Sequence, residues 1–345
     1  MTSSDPSTLT NLITDVDGIA VGHAADEARA TGVTVITVER PNAASCVVRG
    51  GAPGGRDLAL LDPAMSVEGV DAVVLSGGSV FGLDAAGGAL AVLREQGRGL
   101  SFAGETVPIV VQAIAFDLAN GGDKAWGDEP FYWQLGHRAA TVAAHAPFAL
   151  GSVGGGAGAT IADLKCGLGS ASCTLDDGTR VGAVAVVNAL GSAVIAGGPH
   201  FWAAPYERDN EFGGLGLPMP WPNEAERVAL KGRSATSQTP LTPATTIALV
   251  ATDATLTKPQ TLRLAHMADD GLARALRPAH AEHDGDTVFA VATAKRPWAD
   301  DPHALTLLGA AAGDCLARAI ARGVYEARSL PFAGALPSWR DRFGG

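Results

Sequence analysis

The stretch Thr245-Thr246-Ile247-Ala248-Leu249-Val250-Ala251-Thr252 decides how this chain reads. It is a run of β-branched and small apolar residues, which predicts a strand covered on both faces. Downstream, Thr257 and Gln260 form a capping box with Pro259 in the first turn, so a helix is expected over residues 257–277, closed by Pro278. A strand follows at 287–293 and a helix at 302–321, with Asp301 as N-cap and Pro302 at the first helical position. That last helix is mostly Ala, Gly and Leu, a face suited to close packing, including against a neighbouring subunit. Upstream the composition shifts: residues 199–243 are rich in Pro, Gly, Trp and charge, and only 223–230 look helical. Connections longer than about 15 residues are uncommon unless functional or flexible. Thr245 therefore opens a buried strand directly after a long exposed segment.

Further upstream, residues 33–38 alternate β-branched side chains and read as a strand. Residues 72–75 form a short apolar strand that ends in Ser76-Gly77-Gly78, and 83–96 then have helical spacing up to Gly97. The apolar segment 107–118 suits either element. Strands are expected at 181–188, which ends in Asn188, and at 192–196 after Gly191. Strands and helices in this mixture make an α/β protein. The 44 glycines cluster without a repeat period, pointing to tight turns and close backbone approach.

Composition removes several functions. The 345 residues carry Lys+Arg 25 against Asp+Glu 36, a net charge of −11. Nucleic-acid and anionic-membrane partners need an excess of basic residues and are not expected. With 47% hydrophobic and 18% charged residues the chain can build a sizeable core. It has no apolar run of about 18 residues to span a bilayer, and residues 1–17 have no secretory pattern, so a cytoplasmic location is expected. Cys46, Cys166, Cys173 and Cys315 are far apart in sequence and read as small buried hydrophobes in a reducing compartment.

Four groups of residues suggest chemistry. Gly154-Gly155-Gly156-Ala157-Gly158-Ala159 matches a dinucleotide fingerprint, but Gly167 and Gly169 make a poor helix after it, so a glycine-rich turn is the better reading. His280-Ala281-Glu282-His283-Asp284-Gly285-Asp286 has metal-binding residue types without metal-site spacing and reads as a polar turn; no metal or organic cofactor is expected. No Gly-x-Ser-x-Gly elbow supports a Ser-His-Asp hydrolase. Thr245 remains, at a strand start behind an exposed segment.

An ordered set of stretches adds to this reading: Val21-Gly22-His23, Thr31-Gly32-Val33-Thr34-Val35, Arg49-Gly50-Gly51-Ala52-Pro53-Gly54, Leu75-Ser76-Gly77-Gly78-Ser79-Val80-Phe81-Gly82-Leu83-Asp84-Ala85-Ala86, Gly167-Leu168-Gly169-Ser170-Ala171-Ser172, Val187-Asn188-Ala189, Thr245-Thr246-Ile247 and His283-Asp284-Gly285-Asp286-Thr287. Together they resemble the self-processing aminopeptidases and amidases that include L-aminopeptidase/D-Ala-esterase, β-peptidyl aminopeptidase and the nylon-oligomer endo-hydrolase. The resemblance spans roughly residues 14–325. It implies a four-layer α-β-β-α sandwich of the N-terminal-nucleophile-hydrolase type. It also implies one catalytic domain, 1–345, that cuts itself between Ala244 and Thr245 into chains 1–244 and 245–345. The cut pairs would assemble into a homo-oligomer acting on a small-molecule or short-peptide substrate.

The resemblance also implies roles. Thr245 would be the nucleophile, and its freed α-amine, with a reference pKa of about 7.7–8, the base. Asp284 and Asp286 match the acidic pair that orients them, and Asn188 an oxyanion donor. Three positions depart from the pattern. Ala244 precedes the nucleophile where Asn or Gly is common. Phe116 stands where an active-site Tyr is found and would touch substrate without a phenolic donor. The lysine position falls on Asp163, and Lys165, two residues on and on the same face if the segment is extended, is the catalytic candidate in its place. A binding protein of the same fold without turnover is the alternative that these departures raise.

Overall fold

The computed structural model describes residues 9–234, 237–238, 243–298 and 301–344. Residues 1–8 of the stretch read for a secretory signal lie outside the described residues, as do 235–236 and 239–242 of the segment before Thr245.

Ten strands build two sheets: β1 (Ile19–Asp26), β2 (Thr31–Val38), β3 (Ala43–Val48), β4 (Gly55–Arg56), β5 (Ala72–Ser76), β6 (Val110–Ile114), β7 (Leu168–Thr174), β8 (Arg180–Asn188), β9 (Thr245–Ala254) and β10 (Thr287–Arg296). The first sheet has the order β1-β2-β5-β6-β4 and the second β3-β10-β9-β8-β7. Strand direction is mixed. β5 runs parallel to β6 and β9 parallel to β10, and the other neighbours are antiparallel. Helices α1 (Ala85–Glu95) and α2 (Phe131–Thr141) cover the first sheet. Helices α3 (Lys258–Ala275) and α4 (Ala304–Tyr325) cover the second, and a short α5 (Trp339–Phe343) follows. The result is the expected α-β-β-α sandwich.

β9 shows why its sequence lacks alternation. Ile247, Leu249 and Ala251 face the first sheet, against Val73, Leu75 and Val111. Ala248 and Val250 face Leu264 and Leu316 of the helix layer. Side chains of a strand point alternately to opposite faces, so a central strand between two apolar layers must be apolar throughout. The capping box of α3 is formed as read, with Thr257 Oγ1 accepting from Gln260 N.

Several expectations need correction. Residues 192–196 form no strand: Ser192 and Val194 make only single bridges, to Arg277 and Phe201, and Ala196 turns the chain with φ of 54°. Residues 223–230 give only a 3-10 turn, Asn223–Glu226, because Ala225 alone is buried and there is no apolar face to dock. Asp301 caps a turn that precedes α4: its carboxylate accepts from His303 N at 2.8 Å and its carbonyl from Ala304 N at 3.1 Å, so the N-cap falls on His303. Many of the small residues of α4 serve the interior. A Cβ on Gly169 would lie 1.9 Å from the Ala319 carbonyl, and one on Gly271 2.5 Å from that of Gly313. α4 is long and apolar enough by composition to cross a bilayer, but most of it is buried in this core. Cys173 and Cys315, distant in sequence, have sulfurs 3.5 Å apart.

The inter-sheet core yields a stability test. Leu249 is fully buried there, and Leu→Ala at such a site costs about 2–5 kcal/mol. Exposed Leu307 should change stability by about 0.5 kcal/mol or less on the same substitution. Urea denaturation of Leu249→Ala and Leu307→Ala compares the two; equal losses would show that β9 is not the centre of the core.

Candidate active site

β8 and β9 pair antiparallel, and their register sets Asn188 opposite Thr245 at the strand ends. Residue 244 continues toward the turn that precedes β10, where Ala244 bridges Asp284. That turn is tightly specified. Ala281 N donates to the Asp284 carboxylate at 2.8 Å, and Asp284 N to the Ala281 carbonyl at 3.0 Å. The Arg49-Gly50-Gly51-Ala52 stretch straps it from below. Arg49 N donates to the Asp286 carbonyl at 3.0 Å and Ala52 N to that of Asp284 at 2.8 Å. A Cβ on Gly50 would stand 2.3 Å from the Asp284 carbonyl, so only glycine admits this approach.

The Ala244–Thr245 peptide lies inside this frame. Ala244 and Thr245 are 1% and 5% exposed. The Thr245 hydroxyl donates to the Ala244 carbonyl oxygen. Gly285 N donates to the same oxygen at 3.0 Å. A Cβ on Gly285 would sit 2.9 Å from Thr245 Oγ1, so the glycine leaves room for the hydroxyl. Asp286 Oδ1 accepts from Thr246 N at 2.7 Å, one residue from the position of a new amine.

The acidic pair is electrostatically divided. Burial first, and then the charge of Asp286, push the Asp284 carboxyl up to about 6. One of its oxygens has no hydrogen-bond partner among the described residues. Asp286 is held by a group that sequence reasoning assigned only to a polar turn. His280 donates to Asp286 Oδ2 through its backbone N at 2.9 Å, and its ring Nδ1 stands 3.0 Å from the same oxygen. Its Nε2 lies 3.5 Å from Asp269 of α3, which in turn accepts from Arg49 Nε at 3.1 Å. Burial pulls the His280 pKa down, but the Asp286 bond and the Asp269 charge outweigh it and hold the imidazole above its ordinary value. The relay joins α3 to the turn without any fixed motif spacing, so the sequence gives no local signal of it. Among the described residues, no three His, Cys, Asp or Glu side chains are arranged to hold a metal ion.

Asn188 is hemmed in from the other side. Its Nδ2 donates to the Phe116 carbonyl at 2.8 Å, while its Oδ1 accepts from Thr160 N at 3.1 Å and Lys231 Nζ at 2.9 Å. Lys231 was not anticipated, because it lies in the Pro- and Gly-rich segment with no motif around it. Burial pushes its ammonium down to about 7. Lys165 reaches the Gly156 carbonyl at 3.1 Å and the Cys166 carbonyl, and burial lowers it to about 8. Asp163 faces away and accepts from Arg342 at 2.9 Å, so Lys165 is the residue that enters the site region. A cavity of about 290 Å³ opens beside Asn188, lined by Phe116, Thr160, Lys165, Lys231, Phe332 and Leu336 among others. Strand register, the Ala244–Asp284 bridge and the Thr246–Asp286 bond thus gather Thr245, Asn188, Asp284 and Asp286 around one peptide, Phe116 joins them through its bond to Asn188, and Lys165 lines the cavity beside them.

The glycine-rich stretch takes no part as a nucleotide loop. Gly154–Gly156 is a 3-10 turn under the first sheet, where Gly155 N donates to Thr34 Oγ1 at 3.0 Å.

Known proteins share both sequence and fold with this chain. The profile of peptidase family S58 matches residues 11–335. An uncharacterized aminopeptidase of Mycobacterium tuberculosis is 43% identical, with 97% of this chain and 98% of that protein covered. A Burkholderia sp. β-aminopeptidase superposes with a TM-score of 0.67 at 22% identity, over 99% of this chain and 93% of that one. The L-aminopeptidase D-Ala-esterase/amidase of Ochrobactrum anthropi, described as a variant of the Ntn hydrolase fold, gives 0.64 at 20% identity, over 98% and 93%. These two structures agree with the fold.

The His280 relay sets a pH test. A raised folded pKa contributes stability that is complete below the unfolded value of about 6.5 and is lost as pH rises through the higher folded value. NMR titration should place His280 above 6.5, and Asp286→Asn should lower it. A His280 pKa that Asp286→Asn leaves unmoved would mean the contact carries no charge coupling.

Proposed function

The chain belongs to peptidase family S58, which makes it a hydrolase of peptide or amide bonds, and we propose that it cuts itself between Ala244 and Thr245 and then works through Thr245 as N-terminal nucleophile. One observation carries this reading: the Thr245 hydroxyl and the Gly285 N–H converge on the Ala244 carbonyl oxygen. Attack by Oγ1 on the Ala244 carbonyl carbon moves charge onto that oxygen, where Gly285 already donates at 3.0 Å. As the C–N bond breaks, the hydroxyl proton passes to the Thr245 nitrogen, leaving an ester. Water hydrolyses the ester and frees the α-amine.

In the cut enzyme that amine takes the Thr245 hydroxyl proton while Oγ1 attacks the substrate amide. The β-methyl restricts χ1 and keeps the hydroxyl beside the amine. Asp286, held by His280, and Asp284 orient the pair. Asn188 uses one N–H on the Phe116 carbonyl, so its second N–H is the oxyanion donor. A donor of this kind is worth about 3–4 kcal/mol in the transition state. Phe116 contributes an apolar wall to the cavity and its carbonyl to Asn188. Suitable substrates are a small peptide, a β-peptide, an amino-acid amide or an aminohexanoate oligomer, cut near a free amino end. We place the enzyme in the cytoplasm as a homo-oligomer of cut pairs, needing no cofactor. The binding-protein reading has no observation of its own.

Intact-mass measurement should find chains 1–244 and 245–345, and Thr245→Ala should remain one inactive chain. A Thr245→Ala protein that still splits would move the nucleophile to Thr246. Amidase activity should rise through roughly pH 6 to 8 as the amine deprotonates. Asp286→Asn, by removing a negative neighbour, should shift that limb to lower pH and cost rate. A limb unmoved in both Asp284→Asn and Asp286→Asn would remove the acids from the amine. Light scattering should report a mass above the 34.9 kDa of one chain; a monomer would refute the assembly.

A further inference from the structure

The cavity beside Asn188 has an unusual charge balance. Its two charged lining residues are Lys165 and Lys231, and no carboxylate lines it among the described residues. The sequence agrees: residues 227–252 and 330–337 contain no Asp or Glu. The nearest acids, Asp117 and Asp284, act on Lys231 from outside the lining, and neither hydrogen-bonds a lysine among the described residues. Asp117 accepts from Thr31 Oγ1 at 2.6 Å and Gly78 N at 2.8 Å, and Asp284 accepts from Ala281 N at 2.8 Å. Each ammonium has three protons and two carbonyl or amide acceptors among the described residues. One N–H on each is left without a partner among the described residues. Burial lowers both lysines, and the charge of Lys165 adds to the lowering of Lys231. An anion between them would relieve this.

The cavity is also placed to touch a substrate. Phe116, Thr160 and Lys231 line it and each bonds the Asn188 side chain, directly across the strand pair from Thr245. Phe332 and Leu336 add an apolar wall.

We propose that this cavity is a carboxylate subsite, and that the enzyme acts on amides carrying a carboxylate close to the scissile bond, which Lys231 and Lys165 recognise. A substrate ammonium would meet like charge here, so the free amino end is held elsewhere. The proposal rests on the reading of Thr245 and Asn188 as the reacting pair. It deepens that reading by naming the substrate class. The carboxylate has two sources: an acidic side chain on the acyl half, or the free C-terminal carboxylate of the leaving half.

The test compares kcat/KM for matched substrates. Glutamic acid α-amide against alaninamide and lysinamide examines the acyl half, and alanyl-alanine against alanyl-alaninamide the leaving half. A preference of roughly tenfold or more for the acidic member of one set is expected, the scale of a charge-assisted hydrogen bond, and it identifies the source. Lys231→Met lowers the rate on every substrate, because Lys231 also holds Asn188, so the readout is the ratio within a set. That ratio should collapse toward one in Lys231→Met or Lys165→Met, and Lys231→Glu should favour lysinamide. Should these variants fail to fold, the wild-type protein still decides: calorimetry should show glutarate binding at least tenfold tighter than neutral glutaramide. Equal rates within both sets, or glutarate binding no better than glutaramide, overturns the carboxylate subsite and leaves the hydrolase standing. Failure of the chain to cut itself is read separately, by mass, and bears on Thr245 alone.

Discussion

The register between β8 and β9 is the constraint on which the site depends. It sets Asn188 opposite Thr245, and a slip of one residue would exchange the faces of the strand that moved. The slip is opposed because the two buried faces carry side chains of different size. Ile247 and Leu249 fill the space between the sheets, while Ala248 and Val250 meet the helices. Placement of Thr245 at the strand end is therefore a by-product of core packing. The chemistry sits where a rigid strand leaves the core, which is where position is accurate and backbone groups become free.

The turn that precedes β10 supplies the rest. Its backbone is held by the Arg49–Ala52 strap, its Gly285 N–H points at the Ala244 carbonyl, and its two aspartates flank that glycine. The parallel neighbour β10 brings this turn beside the start of β9, so both acids arrive next to the Ala244–Thr245 peptide. The acids differ because their surroundings differ. Asp286 is surrounded by donors from Thr246 and His280, whereas Asp284 is buried with one donor from Ala281 and the negative charge of Asp286 nearby. Environments that separate the two acids are a means of giving like residues unlike tasks.

Two lysines complete the charges around the site. Lys231 bonds Asn188 and, with Lys165, lines the cavity beside it, so the candidate site holds cations as well as acids. Asn188 is a neutral residue whose amide faces both ways: its oxygen accepts from Lys231 and Thr160, and its nitrogen donates to Phe116. The partners on its oxygen decide the orientation of the amide, and with it the direction in which the second N–H points.

Much of this was legible in the sequence. The strand at 245, the capped helix behind it and the strand ending in Asn188 follow from apolar pattern and local capping, which act between near neighbours. The resemblance in ordered stretches brought Thr245, Asn188, Asp284 and Asp286 into one list, and the fold brings them together. What the sequence could not supply were contacts made across long loops. Lys231 sits in a segment without periodicity, and the Asp269–His280–Asp286 relay joins a helix to a turn. Strands at 192–196 and a helix at 223–230 were suggested by local pattern but found no partner or apolar face. The choice between Asp163 and Lys165 likewise required the backbone, because only the fold turns one side chain to Arg342 and the other inward. Local pattern determined which segments form strands and helices, since that depends on side chains a few residues apart. Tertiary structure alone decided which charges share a buried space, because burial and distance, which set electrostatic energies, are properties of the folded arrangement.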